Sequence, residues 1–300
     1  LSLLVVGSVA FDTVETPFGK ADRVLGGSAT FFVLAASYFV KPRLVGIVGA
    51  DFPEEFLDEF KRRGVDLAGL QVSRDGKTFH WSGRYEGDMN AAQTLGVSLN
   101  VLGSYKASVP ESFRDSEYVF LANDHPQTQI DVLAAVKGQP FAVADTRDFW
   151  ISEEPELLET LLGRLDGLVL NEHEARLMTG HSNLVRAGAD ILRRGPGFVV
   201  IKKGEHGALL FSSEGISAIP ACPLSEVRDP TGAGDAFAGG LMGYLAASGK
   251  RSLDAVRRGL TYGTVTASVA VEDFSVKPFH TVSKDELNER HDAFLRAIRF

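Results

Sequence analysis

The chain has 300 residues, enough to bury one large core, and its 44% hydrophobic and 23% charged residues are ordinary for a folded globular protein and leave little room for long disorder. A formal net charge of −8 argues against nucleic acid as a partner, while a local basic patch can still hold a few phosphates. The single cysteine, Cys222, excludes an internal disulfide and a cysteine-based zinc site, and points to a reducing cytoplasm.

The opening run Leu1 to Val6 is apolar but too short for a signal-peptide core or a membrane span, and it lacks a basic flank. It reads as a buried first strand with no membrane association, although no Met stands at position 1 and targeting is set aside only provisionally. Gly7-Ser8-Val9-Ala10-Phe11-Asp12 follows it, and Gly26-Gly27-Ser28 opens a helical pattern through Tyr38. Further short apolar runs at Arg43 to Gly49, Tyr118 to Ala122, Phe141 to Ala144, Gly167 to Leu170 and Phe198 to Lys202 suit strands covered on both faces. Between them, Pro53 to Arg63, Gln127 to Val136 and Glu154 to Leu165 carry apolar residues at helical spacing. The alternation predicts a doubly wound α/β core with a mostly parallel sheet, in a single domain over residues 1–300.

Two segments, about 11–25 and 77–104, break that rhythm with polar and aromatic alternation, and Glu86-Gly87-Asp88 reads as a turn. They predict a small half-exposed sheet. Phe79, Trp81 and Tyr85 would share one face of a strand there, as a wall for a flat ligand or as the packed side of the sheet. A second subunit could cover the same stripe, giving a homodimer through this sheet. Toward the C-terminus, Ala233 to Ser248, Ser252 to Val271 and Lys284 to Ile298 read as long helices.

The stretch Asp229-Pro230-Thr231-Gly232-Ala233-Gly234-Asp235-Ala236-Phe237-Ala238-Gly239-Gly240 precedes an apolar helix and carries most of the chemistry. Free N–H groups of Gly232, Ala233 and Gly234 at a helix start can converge on an anion, assisted by the helix dipole. An acid beside an anion needs a separate task, and Asp235 in the first turn could accept a proton from an attacking hydroxyl. The bland alternative is a capping Asp and glycines that only allow close packing. A dinucleotide-binding turn fits poorly, because Phe237 occupies the third glycine position, and no Walker A pattern is present. Asn171-Glu172-His173-Glu174 follows the run at Gly167 to Leu170, where an Asn N-cap with Glu three residues on also makes a capping box. Val199 to Lys203, Gly204-Glu205-His206-Gly207 and Ala208 to Phe211 read as strand, tight turn and strand. His125 and Asp145 end or follow strands with no partner identifiable from spacing.

The stretch from Asp229 to Met242 resembles the C-terminal signature of the ribokinase-like, or PfkB, family of carbohydrate and nucleoside kinases. The resemblance implies an ATP-dependent phosphotransferase acting on a hydroxyl of a small sugar or ribonucleoside, with a β-lid over the α/β core. It implies Asp235 as catalytic base and Gly232, Ala233 and Gly234 as the anion hole. Asp229 and Thr231 would lie near phosphates, Mg2+ or a monovalent cation such as K+, and Asn171 and Glu174 would help hold Mg2+ and the nucleotide. Lys203 and Gly204 would line the nucleotide edge, where many members carry a small polar residue before the Gly. Asp12, Gly26 and Gly27 would meet the substrate, with Phe31 and Trp81 as walls. Phe31 stands where sugar kinases commonly carry Asn, which leans the reading toward a nucleoside. A non-catalytic binding module on the same fold and a nicotinamide-dependent dehydrogenase are the competing readings.

Overall fold

A computed structural model describes residues 1–299. Its strands are β1 (Leu3–Val6), β2 (Ala10–Thr16), β3 (Gly19–Gly26), β4 (Arg43–Val48), β5 (Asp66–Val72), β6 (His80–Tyr85), β7 (Ala92–Ser98), β8 (Tyr118–Leu121), β9 (Phe141–Asp145), β10 (Gly167–Asn171), β11 (Phe198–Lys202), β12 (Ala208–Ser212) and β13 (Gly215–Ile219). Nine of them form one sheet in the order β13-β12-β11-β10-β9-β8-β1-β4-β5. Pairing is parallel from β11 to β5, and β12 and β13 add an antiparallel edge.

Helices cover both faces, which is why the central strands are continuous apolar runs. On one face Val5, Phe120, Val143, Val169 and Val200 join a core with the helices Ser28–Ala36, Ala233–Ser248 and Leu253–Ala270. On the other, Leu4, Val119, Leu168, Val199 and Ile201 pack with Ile130, Leu161 and Ile191 from the helices Pro126–Ala135, Pro155–Leu162 and Leu184–Arg193. Phe32 stacks on Phe120 with ring centroids 4.5 Å apart. The small residues of the Ala233–Ser248 helix bring it close to its neighbour, since a Cβ at Gly239 would lie 2.4 Å from the Phe32 carbonyl oxygen. The chain leaves β1 for β4 on one side and reaches β8 on the other, so the direction of winding reverses between β1 and β8. Crevices at such a reversal, at the carboxyl ends of strands, are where α/β sheets bind ligands.

The segments expected to form a small sheet do so, in the order β3-β2-β6-β7, with the turn at Glu86 closed by a hydrogen bond from Met89 N–H to the Glu86 carbonyl. Trp81 and Tyr85 share its inner face with Val14 and Met89, and Phe274 from the loop after the Leu253–Ala270 helix closes that cluster. Leu95 and Val97 on β7 are half exposed. Strands β5 and β13 were not expected from the sequence. Both lie at sheet edges and mix polar with apolar residues, so neither carries the apolar run of a central strand. Among the described residues no helix is long and apolar enough to cross a membrane.

Candidate active site

The glycine turn is fixed before the helix begins. Asp229 is buried, and its Oδ1 accepts the Thr231 N–H at 2.9 Å while Oδ2 accepts the Ser275 N–H at 3.2 Å. The two bonds set the turn and tie it to the 271–276 loop. Gly232 then adopts φ 76°, a left-handed conformation, and a Cβ there would lie 2.2 Å from the Phe31 ring. Phe31 is 1% exposed, so its ring acts as the floor under this turn. The Ala233 N–H bonds to the Pro230 carbonyl at 3.2 Å. Among the described residues no protein acceptor engages the N–H groups of Gly232, Gly234 or Asp235, which leaves these donors at the helix start for an anion.

Side-chain alternation along the parallel strands brings charges to the same place. Phe141 and Val143, Val169, and Phe198 and Val200 face the core shared with the Ala233–Ser248 helix. Asp145, Asn171 and Lys202 continue those three rows at the carboxyl ends of β9, β10 and β11. Lys202 Nζ lies 3.5 Å from Asp145 Oδ2. It also stands 2.7 Å from where a Cβ on Gly234 would project. Asn171 Oδ1 accepts the Glu174 N–H at 2.9 Å and Glu174 Oε2 accepts the Asn171 N–H at 2.7 Å, a complete capping box.

Burial of so many carboxyls raises their affinity for protons. Asp235 is pushed up to about 8, mainly by burial and next by the Asp145 charge, against the pull of Lys202 and Arg147. Glu174 rises to about 7 by burial and the same Asp145 charge. Burial also raises Asp145, although Lys202 opposes it. For Lys202, burial works against the charged form, yet Asp145, Glu174 and Asp235 more than offset it and hold the ammonium protonated.

Asp12 stands on the lid side of this cluster. Its Oδ2 accepts the Gly27 N–H at 3.3 Å, and a Cβ at Gly26 would fall 1.9 Å from the same oxygen. The three expected substrate contacts therefore meet in one place. Burial pushes Asp12 up to about 7, opposed by the Gly27 bond. Trp81 is 8% exposed; its indole lies over Gly83 and donates to Thr94 Oγ1 at 3.3 Å. Tyr85 reaches from the lid to accept the Thr231 hydroxyl at 3.4 Å. Gly204 is exposed beneath the lid tip, where a Cβ would lie 2.3 Å from Asn90 Oδ1. Lys203 opens that turn, and its N–H donates to the Gly207 carbonyl.

Sequence reasoning passed over Lys202 and Arg147, gave Asp145 no partner, and did not foresee that the Tyr85 hydroxyl reaches Thr231. Lys202 was within reach: it has the parity of Phe198 and Val200, whereas Lys203 has the parity of Val199 and Ile201 on the opposite face. A nucleotide-bound Mg2+ needs one or two carboxylates and keeps several waters. Glu174 and Asp145 suit it as hard oxygen donors, because the Asp145 charge already raises Glu174 and a cation would relieve that repulsion. Both oxygens of Asp229, by contrast, are taken by backbone donors. No cluster of three or more His, Cys, Asp and Glu side chains forms a closed metal cage among the described residues.

Free backbone donors beside a carboxyl of raised pKa suit the transfer of an anionic group to a hydroxyl. Hydride transfer needs neither, and Phe237, which breaks the dinucleotide fingerprint, is buried in the core. The molecule is built as a small-molecule kinase. A family model described as pfkB family carbohydrate kinase matches residues 2–276, and the chain belongs to that family. A cytidine kinase from Thermococcus kodakarensis is 32% identical over 269 residues, 87% of this chain and 94% of that protein. A Burkholderia thailandensis nucleoside kinase solved with inosine superposes with a TM-score of 0.78 at 22% identity, covering 98% of this chain and 99% of that one. An Arabidopsis thaliana ribokinase solved with ribose and ATP gives 0.77 at 19% identity, over 97% and 98% of the two chains. These two share the fold. Family membership makes the chain a sugar or nucleoside kinase that uses ATP and Mg2+.

Proposed function

We propose that the chain transfers the γ-phosphoryl group of ATP to a ribonucleoside hydroxyl, with Asp235 as the general base. The observation that carries this reading is the adjacency of the raised Asp235 carboxyl to the unengaged N–H groups of Gly232 and Gly234. A base with a pKa near the working pH is ionised often enough to act and still basic enough to draw a proton. Asp235 takes the proton of the acceptor hydroxyl, the hydroxyl oxygen bonds to the γ-phosphorus, and the bond to the bridging oxygen breaks with its electrons leaving on ADP. The N–H groups of Gly232 and Gly234 stabilise charge on the transferring oxygens. Asp12, held by Gly26 and Gly27, orients acceptor hydroxyls. Asn171, Lys203, Gly204 and Thr231 border the nucleotide, and Trp81 belongs to the lid that keeps water from competing as acceptor. Mg2+, when bound through Glu174 and Asp145, neutralises phosphate charge. The Asp229 turn and the 271–276 loop bonded to it are the place for a monovalent cation, which a comparison of rates in K+ and in choline salts would test.

The nucleoside acceptor rests on the 32% identity to a cytidine kinase over most of both chains. The decisive measurement is ATP consumption with cytidine, uridine, inosine, adenosine and ribose as acceptors. A kcat/KM for one or more nucleosides well above that for ribose is the expected result. Turnover of ribose alone would replace this reading with that of a free-sugar kinase. The half-exposed Leu95 and Val97 mark the edge where a second copy would join the lid, and sedimentation would detect that dimer.

A further inference from the structure

Lys202 is a sparsely satisfied charge near the catalytic turn. Its side chain is 17% exposed, yet its three ammonium donors have one protein contact, Asp145 Oδ2 at 3.5 Å. A charge-assisted bond of this kind usually closes to about 2.7–2.9 Å, so Asp145 steers the ammonium without saturating it. The strand parity that buries Phe198 and Val200 turns Lys202 toward the start of the Ala233–Ser248 helix. There its Nζ lies so close to Gly234 that a Cβ at that position would be 2.7 Å away. The cation and the unengaged N–H groups of the turn thus converge from two elements on one volume, beside the proposed base Asp235.

We propose that Lys202 is a catalytic residue whose ammonium hydrogen-bonds the transferring γ-phosphoryl group, completing an anion site with the Gly232 and Gly234 N–H groups. This inference rests on the phosphotransfer reading above and adds a residue to it. Lys202 gives up no proton: the hydroxyl proton passes to Asp235, the new phosphorus–oxygen bond forms, and the old one breaks toward ADP. The ammonium gains its strongest contact as charge spreads over the transferring oxygens, and a preorganised cation lowers the barrier most at that point. The competing role is structural, with Lys202 serving only to neutralise Asp145.

The test compares the parent, K202M, D145N and K202M/D145N; D145N alone measures the cost of losing the proposed Mg2+ donor, and the double variant removes the carboxylate left without a cation. Calorimetry measures Mg2+-ATP and Mg2+-ADP affinity, and steady-state kinetics measure kcat with the best acceptor. Loss of the γ-phosphoryl contact should lower ATP affinity by about tenfold or more, leave ADP affinity within about threefold, and lower kcat by roughly 10²–10³, in K202M against the parent and in K202M/D145N against D145N. A double variant with the ATP-to-ADP affinity ratio of D145N and a kcat within about threefold of D145N would reduce Lys202 to a partner of Asp145 and overturn the proposal. If K202M alone fails to fold, the double variant decides. A parent that binds ATP no better than ADP and turns over no acceptor would overturn the phosphotransfer reading itself, and this proposal with it.

Discussion

All four side chains of β8 are buried, whereas β7 of the small sheet has none buried and most of its residues exposed. The contrast runs through both regions. The parallel sheet is packed on two faces, so groups that emerge at its carboxyl end, Asp145, Asn171 and Lys202, are held by a densely packed scaffold and are poorly solvated. Their carboxyl neighbours acquire raised pKa values for that reason. The lid is packed on one face through a small cluster, Val14, Trp81, Tyr85, Met89 and Phe274, and its edge strand β7 meets solvent. One region concentrates charge on a scaffold packed on both faces; the other is a thinner layer over it. Local opening is cheapest where few apolar contacts hold an element.

The sharpest way to break this division is Asp235→Asn. It keeps the size of the side chain and removes the proton acceptor, so turnover should fall by roughly 10²–10⁴ while ATP affinity, measured by calorimetry, stays near the parent's. Turnover equal to the parent's would move the base elsewhere. Next in size, Phe120→Ala removes a fully buried ring stacked on Phe32 and should cost about 3–5 kcal/mol in denaturant unfolding. Trp81→Ala in the lid should cost less than half as much and appear mainly as a higher KM for the acceptor. If both variants lose stability equally, the lid is part of the global folding unit.

The pH dependence sharpens the contrast further, because stability and activity should respond with opposite signs. Asp235 has a pKa of about 8 in the folded protein against an ordinary 3.8, so the folded state holds its proton more tightly. The stability it contributes is complete below about pH 4 and is lost as pH rises through about 8, with Glu174 and Asp12 adding the same sign up to about 7. Activity instead needs the ionised carboxylate, so kcat/KM of the free enzyme should climb by up to about tenfold per unit toward pH 8. Thermal melts from pH 5 to 8 should fall more steeply for the parent than for Asp235→Asn, and parallel curves would reject the assignment. The smallest effect expected is that of Glu174→Gln, a several-fold rise in the Mg2+ concentration needed for half-maximal rate. An unchanged titration would remove Glu174 from the metal's surroundings.

What could be read from the sequence follows the same boundary. Six central strands were legible because double coverage demands uninterrupted apolar runs; β5, with Asp66 and Gln71, and β13, with three exposed residues of five, had no such demand. The anion turn was legible because its parts are neighbours in the chain. Lys202 and Asp145 are 57 residues apart and meet only once β10 is inserted between β9 and β11. Phe31 read as a ligand wall because nothing local reveals that its ring lies against Gly232, some two hundred positions later. Trp81 and Tyr85 were left between ligand wall and packed face, and they occupy the packed side of the sheet, with the Tyr85 hydroxyl extended to Thr231.

The lid touches the body of the molecule at two informative points: Asn90 lies over Gly204, and Tyr85 meets the hydroxyl of Thr231. Both points belong to loops proposed to carry the nucleotide, although the lid itself is proposed to cover the acceptor. Donor and acceptor are therefore not independent guests. On that proposal, whichever arrives first alters the doorway left for the second, and the products leave past the same contacts at the seam between lid and body.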